Sequence, residues 1–238
     1  MLKGVEMIKL TYIKTDIKKL FREPIMALLF LIPIMFPLLF RLLVRFLVPF
    51  ILEFVSFDFA NYQHYVLATS LIINAMMLSI VMGFTMIDDR DNRIVELMNI
   101  TPLGKAGYVV MRLSLVFIFV FLYSIYSYFV LGIYIISIYT LLYLTLILSI
   151  YSSVLGLVLF NIASDKVNGL TYAKGLNIIM LFAYADLLDL KWLDFLASVF
   201  PPYWITQIIA NPTDVLSLAM GLITSTLWFV LFLAKTKV

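Results

Sequence analysis

The chain has no cysteine. Disulfides, thiolate metal sites and thiol nucleophiles are therefore excluded. It has one histidine, His64, so no two-histidine metal motif can form. Charge is scarce: 13% of the 238 residues are Asp, Glu, Lys or Arg, against about 25% in soluble domains. The formal net charge is only +3, which gives no basic footprint for a nucleic-acid partner. No Gly-Lys-Ser or Gly-Lys-Thr occurs. Gly104-Lys105-Ala106 comes nearest, but it lacks the hydroxyl and the upstream glycine. Without a phosphate-cradling P-loop the chain cannot hydrolyse ATP alone. No metal constellation, no serine–histidine arrangement and no cofactor motif is visible either.

What remains is hydrocarbon. The composition is 64% hydrophobic and the mean hydropathy is +1.08. That predicts an all-α integral membrane protein with one membrane domain over residues 1–238. No cleavable leader is visible, because the first apolar run starts after about 23 polar or amphipathic residues and is itself span-length. Met7 is an alternative start.

Six spans are predicted, at 25–47, 62–87, 107–131, 133–162, 175–190 and 215–234. Before them, residues 6–22 read as an amphipathic helix. Leu10, Ile13, Ile17, Leu20 and Phe21 share one face, and Lys9, Lys14, Lys18, Lys19 and Arg22 surround it. Such a helix lies in the lipid headgroup plane. In the first span Pro33 and Pro37 should kink one side. Arg41 and Arg45 share a face near its far end, where they either snorkel to water or line a route. Two small-residue stripes, Ala75–Ser79–Gly83 and Ser149–Ser153–Gly156, suit close helix packing in lipid. The tyrosines at 123, 126 and 128 read as interfacial belt residues, and Gly132 is the natural hairpin point. Asp186, Asp189 and Asp194 read as solvated carboxylates. Residues 191–212 form two short apolar segments, broken by Pro201-Pro202 and carrying Trp192 and Trp204, that dip into the outer interface. The polar groups available to a mid-membrane path are Asn74, Ser79, Tyr123, Ser127, Ser149 and Ser153. Such a lining suits hydrophobic or amphipathic cargo and does not choose among drugs, lipids and peptides.

The longest polar island is Asp88–Gly107. One reading is a solvated loop. The other is a docking helix for a soluble partner, with acids in its first turn, an apolar stripe of Ile94, Leu97, Met98 and Ile100, and a stop at Thr101-Pro102. Of the 17 Lys and Arg, all but Arg41, Arg45 and Lys191 fall on the side that holds this island and both termini. That side is therefore expected to be cytoplasmic.

The run DRDNRIVELMNITPLGKAGYVVMR, Asp89–Arg112, and the turn FPPYW, Phe200–Trp204, resemble the permease subunit of a type-2 ABC exporter. The likeness covers essentially the whole chain, and the nearest group is the bacterial and archaeal permeases labelled drug or fluoroquinolone exporters. Unlike larger relatives, this chain has no large extracellular domain. The resemblance implies a half-transporter in the plasma membrane. A second permease copy, identical or a paralogue, would complete the pathway. Two copies of a separate ATPase, holding ATP and magnesium, would dock below. Residues 88–105 would be the coupling helix, with Asp88, Asp89, Arg90, Arg93, Glu96, Leu97, Met98 and Pro102 facing the ATPase. The helix bearing Lys14, Lys18, Lys19 and Arg22 would transmit motion. The implied cargo is a drug, antibiotic or peptide, with a lipid or polysaccharide precursor as the alternative. A stand-alone channel or secondary carrier would show matching broken spans in two halves, whereas the first and fifth spans differ in length and proline content. A membrane-embedded enzyme would need a catalytic constellation, and none is found.

Overall fold

The computed structural model describes residues 21–54, 58–101 and 104–236. Most of the amphipathic segment, including Lys14, Lys18 and Lys19, lies outside them, as does Pro102. The described residues are helical, with no strand. In chain order the helices are α1 (Pro24–Leu52), α2 (Gln63–Asp91), α3 (Ile94–Asn99), α4 (Gly104–Leu131), α5 (Ile138–Ile162), α6 (Lys166–Asn177), α7 (Lys191–Ala197), α8 (Pro201–Ala210) and α9 (Val215–Lys235). A 3-10 turn, Phe59–Tyr62, precedes α2, and a 3-10 segment, Ile178–Leu188, continues α6. Several starts are written in the sequence. Ser137, Asp165 and Asp214 cap α5, α6 and α9 by accepting backbone N–H groups two or three residues on. Gly132 closes the turn after α4 at φ +57°, a conformation that glycine adopts without strain.

Among the described residues, five helices, α1, α2, α4, α5 and α9, are long and apolar enough to cross a membrane. α2 and α5 form the centre: 78% of the most apolar window of each is buried, against 17% for α1 and 22% for α9. They run parallel, and small residues bring them together. The Ser152 hydroxyl donates to the Ala75 carbonyl at 2.9 Å. A Cβ on Gly156 would meet the Ser79 carbonyl at 3.2 Å and the Met82 sulfur at 2.9 Å, and one on Gly83 would meet Leu159 Cδ2 at 2.7 Å. Both stripes therefore contribute to one interface, as lipid-embedded packing requires. Gly156→Ala should cost about 1–3 kcal/mol, because the backbone at Ser79 cannot yield. Gly175→Ala, where nothing lies within 4 Å, should leave stability unchanged or raised. Thermal midpoints of the two variants in detergent test this.

α1 carries Pro33, Pro37 and Pro49, and the first two are buried. Each proline removes a backbone donor and loosens the preceding turn. The tyrosines of α4 meet those turns. Tyr123 donates to the Phe30 carbonyl at 3.2 Å and Tyr126 to the Ile34 carbonyl at 3.1 Å, each three residues before a proline. These tyrosines brace α1, a role that the interfacial-belt expectation did not include. Each tyrosine reaches the carbonyl one residue after the one that the proline leaves without a donor, so α4 holds the loosened turn in place. Arg41 is not merely snorkelling, since its guanidinium donates to the Val130 carbonyl at the end of α4 at 3.0 Å.

The expected fifth span is not a uniform α-helix. α6 runs directly into the 3-10 segment, longer than the usual 3-10 turn. Lys166 at its start reaches Asp88 at 3.0 Å, and Asp186 near its end accepts from Tyr65 at 2.7 Å. Tyr65 and Asp88 stand about 35 Å apart along α2 at 1.5 Å per residue. From Lys166 to Asp186 an α-helix would rise only about 30 Å, but 3-10 winding at 2.0 Å per residue brings this to about 35 Å. The tighter winding thus lets a short segment match the full depth of α2.

Candidate functional site

The polar island folds differently from one docking helix. α2 continues through Asp91, Asn92 caps it, and Arg93 turns left-handed at φ 57° before the six-residue α3. Asp88, Asp89 and Asp91 therefore occupy the last turn of α2, where the helix dipole disfavours negative charge. Basic side chains from other elements offset this. Lys166 bridges Asp88 at 3.0 Å and Glu23 at 2.8 Å, joining the start of α1, the end of α2 and the start of α6. Asp89 is buried, with its residue 1% exposed. Its Oδ2 accepts from Arg112 at 2.5 Å and from the Tyr108 hydroxyl at 2.8 Å, both on α4. Arg90 turns to the end of α5, donating to the carbonyls of Phe160 at 3.3 Å, Ala163 at 2.8 Å and Ser164 at 2.7 Å. That fork occupies acceptors that the helix end leaves without intrahelical donors.

Three of the expected partner contacts thus also have bonds inside the chain. Asp88, Asp89 and Arg90 are engaged within the chain, tying α2 to α1, α4, α5 and α6 at this end. Met98, expected to face a partner, is 8% exposed and packs inward with Val95, also 8%. What α3 presents to water is Arg93, Glu96 and Leu97, followed by Ile100. Leu97 is 59% exposed and Ile100 84%. Ile100 belonged to the expected apolar stripe but not to the residues expected to face the ATPase. Its i, i+3 spacing from Leu97 was the available signal, but the choice of face needed the left-handed turn at Arg93. Arg22 is exposed at the same end of the bundle, before α1.

Most of the candidate path residues turn to backbone carbonyls or to each other. Ser79 donates to Met76 O at 2.6 Å, Ser153 to Ser149 O at 2.8 Å, and Ser149 to Thr145 O at 2.7 Å and Phe117 O at 3.2 Å. Ser127 pairs with Ser70 at 2.8 Å, and Tyr123 braces α1. Ser153 alone of the six lines a groove of about 570 Å³, between α4, α5 and α9. Asn74 is the exception in bonding: it is fully buried and neither amide atom has a hydrogen-bond partner. Asn74→Leu removes two orphaned groups at similar volume, so it should raise the thermal midpoint by the equivalent of about 1–3 kcal/mol. A lowered midpoint would show that the amide is paired.

At the opposite end Asp186 is not the freely solvated carboxylate expected. It is part-buried and accepts from Tyr65 at 2.7 Å and from Gln207 on α8 at 3.0 Å. His64 lies against the Tyr65 ring at 4.0 Å. This network fastens α2, the 3-10 segment and α8 to one another.

Apolar helices of spanning length, a core closed by small residues, and a charged collar at one end define a multi-pass membrane protein. The chain belongs to the Rv2686c-like family, described as fluoroquinolones export permease proteins, and the match covers residues 16–233. The likeness to a drug-export permease that Asp89–Arg112 and FPPYW carry is thereby shown. No match emerged among curated proteins or among solved structures.

Proposed function

We propose that this chain is the membrane half of an ATP-driven exporter of flat, largely apolar drug-like molecules, powered by an ATPase on a separate polypeptide. The observation that carries the reading is the water-facing tip of α3. Leu97 and Ile100 stand out beside Glu96 and Arg93, while the acids and Arg90 of the adjacent α2 turn are tied into α1, α4, α5 and α6. Exposed apolar surface rimmed by polar residues suits a protein-binding site. Because it is mounted on a rigid collar, a push on α3 is delivered to the helices that surround the core. The family description supplies export and fluoroquinolones as the cargo of its members, and the scarcity of charge in the bundle suits such molecules.

In this reading α6 and the 3-10 segment together make the sixth crossing, so both termini lie on the cytoplasmic side with most of the basic residues. The apolar outward faces of α1 and α9 meet lipid and a second permease copy. The test is co-purification with the ATPase encoded in the neighbouring reading frame. The pair should elute as one complex whose ATPase rate differs from that of the free ATPase. Separate elution, with an unchanged rate, contradicts the reading.

A further inference from the structure

Two bonds fix how α2 and α4 face each other. Ser70 pairs with Ser127 at 2.8 Å, and Asp89 accepts from Arg112 at 2.5 Å, so the helices run antiparallel. One turn along from the serine pair, toward the collar of Asp89 and Arg112, stand Asn74 on α2 and Ser124 on α4. Both are fully buried, and among the described residues neither the Asn74 amide nor the Ser124 hydroxyl has a hydrogen-bond partner. Most buried polar side chains in proteins are paired, and in lipid they ordinarily bond a neighbouring helix. Two orphaned side chains at one depth of one helix pair therefore mark a seam that is poorly closed in this state.

The bonds on either side of the seam divide these helices into two pairs. α1 and α4 are held together through Tyr123, Tyr126 and Arg41, which reach carbonyls across the pair at 3.2, 3.1 and 3.0 Å. α2 and α5 are held together through the Ser152 hydroxyl, the close approaches at Gly83 and Gly156, and Arg90 on the end of α5. Between the two pairs, Ser149 adds a longer second branch to the Phe117 carbonyl at 3.2 Å. The two ends of the seam differ. At the collar the buried Asp89–Arg112 bridge pins α2 to α4, and α3 is the chain's own link between them. At the far end a gap of about 390 Å³ already separates Phe40, Leu43 and Leu47 of α1 from Tyr65, Val66 and Thr69 of α2.

A joint pinned at one end, gapped at the other and lined with unpaired polar groups is suited to open as a hinge. We infer that α1–α4 and α2–α5 are two bodies that part about the Asp89–Arg112 bridge, letting water reach Ser70, Asn74, Ser124 and Ser127. Closing the seam hides these groups and leaves hydrogen bonds unmade. Opening it hydrates them, which keeps the two states close in free energy. The use of the hinge rests on the export reading above: force on α3, which joins one body to the other, is applied across it.

The chain's lack of cysteine makes the test direct. Single cysteines are placed at Ser124, inside the seam, and at Ser152, inside the α2–α5 body; both positions are fully buried. The full-length protein in lipid nanodiscs, with no ATPase and no nucleotide, is treated with a small water-soluble methanethiosulfonate, and labelling rates are read by mass. Ser124→Cys should label about tenfold faster than Ser152→Cys or more, since opening of the seam exposes the first and only global unfolding exposes the second. Adding Asn74→Leu, which removes the orphaned amide, should slow labelling of Ser124→Cys about tenfold. Ser127→Cys provides the same test if Ser124→Cys does not fold. Equal rates at the seam and at Ser152, or a seam rate that Asn74→Leu leaves unchanged, would each overturn the hinge. No ATPase takes part in these measurements, so the failure of the hinge and the failure of the exporter reading are read separately.

Discussion

Asp89→Ala should destabilise the protein by about 3–5 kcal/mol, because it leaves the Arg112 guanidinium buried beside a missing partner. The pair is almost sealed, with side-chain exposures of 2% for Asp89 and 8% for Arg112, so little of the lost interaction can be recovered from water. The Tyr108 hydroxyl, which donates to the same oxygen, would lose its acceptor too. The loss is specific to breaking the pair rather than to removing charge. Asp89→Leu combined with Arg112→Met should recover most of the stability, since a buried ion pair and a well-packed apolar replacement differ little. A double-mutant cycle on thermal midpoints in detergent should therefore show coupling well above 1 kcal/mol. Additive losses would mean that the two side chains do not depend on each other. Because the pair joins α2 to α4 directly behind α3, the single variant should also weaken coupling to a docked ATPase. The double variant should restore folding first.

Leu97→Asp with Ile100→Asp should separate the permease from its ATPase without unfolding it. Both side chains stand mostly in water, 59% and 84% exposed, so neither contributes much to the fold. Burial of each in a partner's groove is worth about 1.5–3 kcal/mol, so the double change should weaken association at least a hundredfold. Glu96→Lys should act in the same direction but less strongly, because an exposed charge at a rim contributes little affinity. Met98→Asp makes the contrast. Met98 is buried within the chain, so its substitution should lower stability rather than act at the docking step. Thermal midpoints and pull-down with the ATPase, measured on the same preparations, separate the two effects.

Much of this was legible in the sequence, and the reasons are physical. Bilayer thickness fixes span length, so most of the long helices fall near their expected places. Small residues at four-residue spacing in a lipid-embedded helix have few uses besides close approach, and Ala75, Gly83 and Gly156 serve that use. The island around Asp88 stood out because nothing else in the chain is so polar. What could not be read is which side each charge turns to. The acids of Asp88–Asp91 look like the start of a helix, and only the cations brought by Arg112 on α4 and Lys166 on α6 make them tolerable at the end of one. The split between Leu97 outward and Met98 inward depends on one left-handed residue, Arg93, and arginine carries no signal for that conformation. The serines expected along a path share one explanation. Where no water competes, most of their hydroxyls turn to a carbonyl of their own helix. The hidden device after α6 is the 3-10 winding of Ile178–Leu188, which no composition rule announces.

The most direct measurement is transport by inside-out vesicles that contain the permease, its neighbouring ATPase, or both. The account predicts uptake of a fluoroquinolone only when both proteins and Mg-ATP are present, with uptake lost in the Leu97→Asp, Ile100→Asp variant. Equal uptake by the permease alone, with no nucleotide on either side of the membrane, would contradict it.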